Sequence, residues 1–512
     1  MSLAQLEIIN DPKNAPQVVS ALSRRKFLTP LPFPVLLSTL LGLWGIRRDG
    51  TVWHDEAATL GLASRSLPDL WQTLGNIDAV HGAYYLLMHG LFGLFGTDLL
   101  VLRLPSVLAG ALAAAGVTAL GVRLSGTRAG ILAGLSFALL PAVQKFSQEG
   151  RSYSLVCALV VWATYFLVSA VLGCRAPVIT GRRSSTAPWI AYGALMLAAC
   201  ILHQFAALAL VAHAFALPVH ARRSWAYTAL FVVAGFAPLA ALGIAQSEQV
   251  AWINDVTGSQ YQRFAIQFSF AIVLSYFASS GNAGKASPEA PFSLRAIALP
   301  LFMLPTILLA LISLYKPFYV ERYVLYSLVG LALLLGAVLD RVSELGRNLQ
   351  VTAVIVVALA VALLIPESLK VRTPESRSDN VTDLATVLSR EYTPGAGILY
   401  LSVKRRAWTL AYPSVSRGMF DLAQDLTPAA SHGLYGTELP SREIRARMRS
   451  SARIFVVTEP KGHRVESNGT ELMKERVLAE YFTKGRTVQI NGARVIIYEH
   501  RTTATEAELA VP

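Results

Sequence analysis

Charge is scarce in this chain. Only 15% of its 512 residues are Asp, Glu, Lys or Arg, against roughly a quarter in an average soluble protein. That shortage, at a length beyond which a single core stops growing, excludes an ordinary water-soluble fold. Cysteine is scarcer still. Cys157, Cys174 and Cys200 lie in or beside apolar blocks, none falls in the polar C-terminal part, and none has metal-ligand spacing. A disulfide framework is therefore not expected. Basic runs interleaved with aromatics are lacking too, so the net charge of +13 does not point to nucleic acid. It reads instead as positive-inside loops and adhesion to anionic lipid. There is no internal repeat and no low-complexity tract. What the chain has in excess is apolar sequence: 54% of residues are hydrophobic and the mean hydropathy is +0.47. Lipid is the solvent for much of it.

Apolar blocks long enough, or nearly so, to cross a hydrocarbon layer of about 30 Å lie near residues 28–46, 100–122, 128–143, 152–173, 187–202, 204–219, 225–244, 264–280, 295–314, 321–339 and 350–366. The first follows Arg24, Arg25 and Lys26 with no small-residue cleavage site after it, which reads as a retained signal anchor. With residues 1–27 cytoplasmic, the inner connections hold Arg123 and Arg128, then Arg175, Arg182 and Arg183, then Arg222 and Arg223, Lys285 and Arg295, and Arg341 and Arg347. Each carries at least two cations, as the positive-inside rule asks. Eleven spans, within a range of ten to twelve, place the first outer loop at 47–99 and everything after about Pro366 outside. Over 367–512 the apolar residues shorten to strand-like runs, Gly397–Val403 and Arg453–Thr458. Asp383–Tyr392 reads as a helix stopped by Pro394 and Gly395, and Val488–Tyr498 as a hairpin turning at Asn491-Gly492. The fold class expected is a polytopic α-helical membrane protein with a spanning domain over 28–366 and a small extracytoplasmic α/β domain over 367–512. Asn380-Val-Thr and Asn468-Gly-Thr match the glycosylation triplet, which is common by chance.

Charged and aromatic residues collect in the expected outer segments. Trp53-His54-Asp55-Glu56 follows the first span. Two adjacent carboxylates there are either a solvated helix start, with Thr51 as a cap, or acids that face a cavity; the amphipathic Leu67, Leu70, Trp71 and Leu74 beyond them suit the second. In the same loop Asp78, His81, Tyr84, Tyr85 and His89 supply donors and flat rings of the kind that hold sugars, though an interfacial aromatic belt explains the tyrosines equally. Arg103, opening the second span, reads as a side chain that snorkels to the headgroups. Gln144, Lys145, Gln148, Glu149, Arg151 and Tyr153 pack cation, carboxylate and cation into one short turn, suited to a phosphate and a polar partner or to a self-neutralising network. Lys316, Glu321, Arg322 and Tyr323 repeat the theme before a late span, and His203 stands at the outer break between the fifth and sixth blocks as a cavity lining or a satisfied helix end.

These clusters, in this order, resemble the GT-C superfamily of membrane glycosyltransferases, in particular the bacterial branch related to protein O-mannosyltransferases and aminoarabinose transferases. The likeness rests on Trp53-His-Asp55-Glu56, His81-x-x-Tyr84-Tyr85 ahead of Arg103-Leu-Pro-Ser, Gln148-Glu149-x-Arg151-x-Tyr153 and Glu321-Arg322-Tyr323, and it covers roughly residues 28–340. It implies a sugar donor on a polyprenyl phosphate and a glycan, lipid or protein acceptor, joined at the outer face of the cell membrane. A first-loop aspartate is implied as base, mapping to Asp55, with Glu56 as substitute. Lys145, Arg151 and Arg322 are candidates for the donor phosphate, and His54, His81, Tyr84, Tyr85, Glu149 and Tyr153 for sugar or acceptor. One base and an in-line attack would invert the anomeric centre. No cofactor is implied, and a divalent metal on the adjacent acids stays open. The chain departs from the pattern at Gly82 and Ala83, where proline is usual. The rival class is a transporter or flippase of lipid-linked glycans, which would carry charges deep in several spans and repeated halves. An anchored sensor would need neither these acids nor so many spans.

Overall fold

A computed structural model describes residues 30–173, 186–250, 253–279, 293–391, 393–412, 419–462 and 469–501. Cys174, Arg175, Arg182, Arg183, Lys285 and Asn468, which entered the sequence reading, lie outside them. In chain order the helices begin with α1 (Pro32–Leu43), α2 (His54–Ala63), α3 (Leu67–Asn76), α4 (Gly82–Phe95) and α5 (Leu99–Ser125). Next come α6 (Thr127–Leu139), α7 (Pro141–Ser147), α8 (Tyr153–Gly173), α9 (Ala187–Leu202), α10 (Leu208–Ala216) and α11 (Arg222–Ala245). The series continues with α12 (Gly258–Ser279), α13 (Leu294–Ile312), α14 (Leu328–Arg341) and α15 (Arg347–Lys370), and after them α16 (Val381–Glu391). Strands β1 (Gly397–Tyr400), β2 (Phe420–Asp421) and β3 (Arg453–Thr458) alternate with α17 (Ser441–Arg449) and α18 (Gly469–Tyr481), and β4 (Phe482–Ile490) and β5 (Ala493–His500) close the series. These elements sort into two compact units. One holds the chain up to Trp44 and Arg103–Val371, the other Gly45–Leu102 and Arg372–Pro512.

The first unit is all helix and is the membrane-spanning body of a multi-pass protein. Among the described residues six helices are long and apolar enough to cross, or seven if α6 and α7, bent by 66° at Leu140, make one broken span. These coincide with seven of the eleven blocks read from the sequence. The others give shorter helices, α1, α9 and α10, or one diluted by Gln260, Arg263 and Gln267 (α12). The α15 helix continues past Pro366 to Lys370 and has no buried residue. An apolar helix with nothing covering it is stable only if lipid covers it. The interior packs through small residues, which let helices approach closely. At Gly330 a Cβ would collide with the Ala298 carbonyl, and at Gly336 with Ala129 and Ala133, so α14 seats directly on α13 and α6.

The second unit is built on a five-stranded sheet ordered β2-β1-β3-β5-β4, with β2, β1 and β3 parallel and the rest antiparallel. Strands covered on both faces read as continuous apolar runs, as Ile398-Leu399-Tyr400 and Ile454-Phe455-Val456-Val457 do. One face buries Ile398, Tyr400, Phe455 and Val457 with Leu384 and Leu388 of α16 and with Val52 and Ala57 of the first loop. The opposite face buries Leu399, Ile454 and Val456 with Ile444 and Met448 of α17 and Val477 of α18. The α/β reading of the tail holds. So does the hairpin, whose Asn491-Gly492 turn pairs Ile490 with Ala493 and puts Gly492 at φ 83°. The first loop, however, is no free connection: Gly45–Leu102 is integral to this unit.

Candidate active site

In the second unit the motif Trp53–Glu56 starts a helix at the end of a sharp reversal. Arg48, Asp49 and Gly50 all have positive φ, which folds Arg48 back onto the first turn of α2. Its Nη2 lies 2.8 Å from Glu56 Oε2, and both side chains are fully buried. Thr51 does not cap α2; its hydroxyl donates to the Arg48 carbonyl, and extended Trp53 occupies the cap position without a side-chain bond. The two adjacent acids therefore have different surroundings. Asp55 is 14% exposed, with Oδ1 3.1 Å from Nε2 of His54, which is itself 40% exposed. The other ring nitrogen, Nδ1, contacts Oδ2 of Asp379, and the His54 backbone N–H donates to Asp379 Oδ1 at 2.8 Å. Burial alone would lower the imidazole pKa, but the charges and hydrogen bonds of Asp379 and Asp55 outweigh it and raise the value to about 10. His54 is thus an imidazolium between two carboxylates at neutral pH.

The second cluster supports the same unit from within. Asp78 is left-handed at φ 60° and begins the tight turn Ala79–His81. The Tyr85 hydroxyl donates to the Asp78 carboxylate, the His81 and Tyr85 rings lie 6.3 Å apart, and Tyr84 and Tyr85 are fully buried. At Gly82 a Cβ would stand 2.9 Å from Leu74 Cδ1, the movable end of a side chain on α3. His89 bonds the Ala63 carbonyl.

In the first unit the turn Gln144–Tyr153 is buried and ordered. The Gln148 amide donates to the carbonyls of Leu41, Gly42 and Trp44 at 3.3, 3.0 and 2.7 Å, satisfying the C-terminal end of α1, which has no further turn to do so. Glu149 and Arg151 are 1% and 4% exposed, and the Arg151 carbonyl accepts from Ser106. Arg322 Nε donates to the Tyr153 hydroxyl at 3.0 Å, and its guanidinium lies 5.7 Å from the Tyr153 and Tyr323 ring centres. The His203 ring packs 4.5 Å from Tyr323 and 5.6 Å from Tyr153, and the charges of Arg151 and Arg322 both bear on it. Three segments far apart in sequence thus contribute to one cationic, aromatic-lined cluster. Lys145 is half-buried beside Phe146. Lys316 instead reaches Ser247. Arg103, read as a snorkelling side chain, is fully buried.

The sequence reading missed Asp379 and Arg48. Asp379 sits beside the Asn380-Val-Thr382 triplet, which looked like a glycosylation pattern; Asn380 is 3% exposed and its side-chain oxygen accepts from the Thr382 N–H, so it serves as a turn former. Among the described residues no set of three His, Cys, Asp or Glu side chains is placed to hold a metal ion.

No family profile and no curated protein sequence matches this chain. Solved structures do. ArnT from Cupriavidus metallidurans bound to undecaprenyl phosphate superposes with a TM-score of 0.54 at 13% identity, covering 94% of this chain and 98% of that one. The same ArnT in the apo state gives 0.50 at 13% identity, covering 84% and 88%. The chain has the GT-C fold, over nearly its whole length, as the order of its motifs implied.

Proposed function

We propose that this protein is a membrane glycosyltransferase that moves a sugar from a polyprenyl-phosphate donor to an acceptor hydroxyl, at the outer face of the cell membrane and with inversion. The observation that carries the reading is the separation of roles between two adjacent acids on a GT-C fold. Glu56 is closed off by Arg48, whereas Asp55 keeps 14% of its side chain exposed, beside an imidazolium that is 40% exposed. A sugar hydroxyl is a poor nucleophile, so a carboxylate that takes its proton speeds the attack. As the acceptor oxygen bonds to the anomeric carbon, the bond from that carbon to the phosphate oxygen breaks and the electron pair leaves with the lipid phosphate. Fixed cations stabilise that growing charge. Arg151 and Arg322, converging on His203 and Tyr153, are assigned this task, with Lys145 as a further cation. That ArnT was captured with undecaprenyl phosphate supports a lipid phosphate as the leaving group. Glu149 positions the donor. His54 borders the acceptor side, and His81, Tyr84 and Tyr85, buried within the loop, stiffen it from its interior.

The test is transfer by the full-length protein in lipid nanodiscs. Radiolabelled polyprenyl-phosphate mannose, glucose, arabinofuranose and aminoarabinose are offered in parallel with a crude envelope acceptor fraction. Transfer from one donor, abolished by Asp55→Asn and lost with Arg151→Ala or Arg322→Ala, is expected. Undiminished turnover in Asp55→Asn would remove the base assignment.

A further inference from the structure

The base assigned above is not a lone side chain. The His54 imidazole is held on both nitrogens by carboxylates separated by more than three hundred residues in the sequence, Asp55 on Nε2 and Asp379 on Nδ1. Asp379 also receives the His54 backbone N–H at 2.8 Å and the Ser378 hydroxyl at 2.9 Å. Its own backbone is fixed by the segments on either side. The Val381 N–H donates to the Val52 carbonyl at 2.8 Å, the Val52 N–H to the Thr382 hydroxyl at 3.0 Å, and the Asn380 N–H to the Asn491 carbonyl at 3.1 Å. The hairpin tip closes directly on it, and at Gly492 a Cβ would overlap the Asp379 side chain. Exposure falls along the chain of contacts, from 40% at His54 to 6% at Asp379.

We infer that Asp379 is a positioning residue of glycosyl transfer, one that acts through His54 to hold the Asp55 carboxylate in a single orientation toward the acceptor hydroxyl. The inference rests on reading Asp55 as the base. The proton passes from the acceptor to Asp55, and His54 and Asp379 exchange none. A cation touching the base holds it in place but also weakens it, because an adjacent positive charge favours the ionised carboxylate. The second carboxylate offsets that cost by drawing on the same imidazolium charge, and by locking the ring it removes the rotamer freedom that would let Asp55 swing away. Among the other charged groups on elements packed around His54, Arg48 is on Glu56, Arg405 on Glu459, Arg406 on Asp421 and Glu438, and Arg377 on Ser376, and Asp383 stands in the first turn of α16. Lys404 stands in the same stretch as Arg405 and Arg406, and His81 and His89 lie on the neighbouring turn and helix.

Two measurements on the full-length protein in nanodiscs test this. With [15N]histidine labelling, the His54 resonance is identified by its loss in His54→Gln and its titration is followed. Asp379→Asn should lower the midpoint by at least about one pH unit, the effect of removing a contacting opposite charge. Using whichever of the four radiolabelled donors is turned over, Asp379→Asn should cut kcat about a hundredfold through misplacement of the base. Its donor KM should stay within about threefold and its alkaline limb should move to lower pH, while Asp379→Glu recovers part of kcat. An unchanged His54 midpoint, or an unchanged kcat and pH limb, in Asp379→Asn overturns the inference. Should Asp55→Asn be inactive while Asp379→Asn is normal, the positioning role alone is lost. Should Asp55→Asn be active, the base reading falls, and the titration then reports only a structural contact.

Discussion

Asp55 and Glu56 are neighbours of the same chemical type, and the structure separates what their loss should do. In Glu56→Gln the side chain keeps its shape and an acceptor but no longer carries the charge that neutralises Arg48. Both partners are fully buried at 2.8 Å, so there is little solvent screening to soften the loss. Removing one member of such a buried pair costs roughly 3–5 kcal/mol. For a unit of about 200 residues, Gly45–Leu102 with Arg372–Pro512, each kcal/mol moves Tm by about 2–4 °C, which puts the fall near 10 °C. The assay is apparent Tm by intrinsic fluorescence in one detergent, beside kcat per folded molecule measured well below the transition. Glu56→Gln should lose Tm and keep kcat within about threefold; Asp55→Asn should keep Tm and lose transfer. The double variant Arg48→Met/Glu56→Leu should regain most of the lost Tm, because two well-packed apolar groups replace the pair without leaving a buried charge. A Glu56→Gln protein of unchanged Tm and no turnover would exchange the two roles and refute this reasoning.

Other consequences follow from single contacts. Gln148→Ala removes the donor shared by three carbonyls at the end of α1 and should cost about 1–3 kcal/mol, seen as lower thermal stability of the purified protein. Arg322→Lys keeps the charge but loses the Nε bond to Tyr153 and the guanidinium that lies 5.7 Å from the centres of two rings; donor KM should rise about tenfold where the geometry of the fork matters. Gly492→Ala forces a side chain onto Asp379 at φ 83°, and both Tm and kcat should fall, the backbone strain alone being about 1–2 kcal/mol. Glu471, buried beside Lys474, has its pKa raised from 4.5 to about 7, burial outweighing the lysine's opposing pull. The folded protein therefore binds this proton more tightly than the unfolded chain, and the associated stability is complete below pH 4.5 and lost as pH rises through 7. Melting curves across that window should lose this slope in Glu471→Gln.

Much of the spanning body was legible because hydropathy is a local property: the blocks at 100–122, 152–173 and 295–314 reappear almost residue for residue as α5, α8 and α13. The tail was legible for a similar reason, since the continuous apolar run of β3 and the Asn491-Gly492 turn are short-range signals. The blocks at 28–46 and 204–219 fared less well. A hydropathy window cannot see where a chain turns, and here α10 is a nine-residue helix following a 3₁₀ turn that starts at Gln204.

The acids show where local reading stops. Sequence alone marked Asp55 and Glu56 as a pair at a membrane border, and nothing within a few residues told them apart. Their difference is made by Arg48, folded back by three left-handed residues, and by Asp379, which arrives 325 positions after His54 on the turn before α16. Neither partner belongs to a motif, because an ion pair needs only opposite charge and reach, and the first condition is met by any of 45 Lys and Arg side chains for Glu56 and by any of 32 Asp and Glu side chains for the His54 imidazolium. What selects these two is the packing that brings Val52 and Ala57 onto the same sheet face as Leu384 and Leu388. The first loop is thereby a structural part of the α/β unit, and the carboxylate proposed as base is the one of the two that keeps part of its side chain exposed.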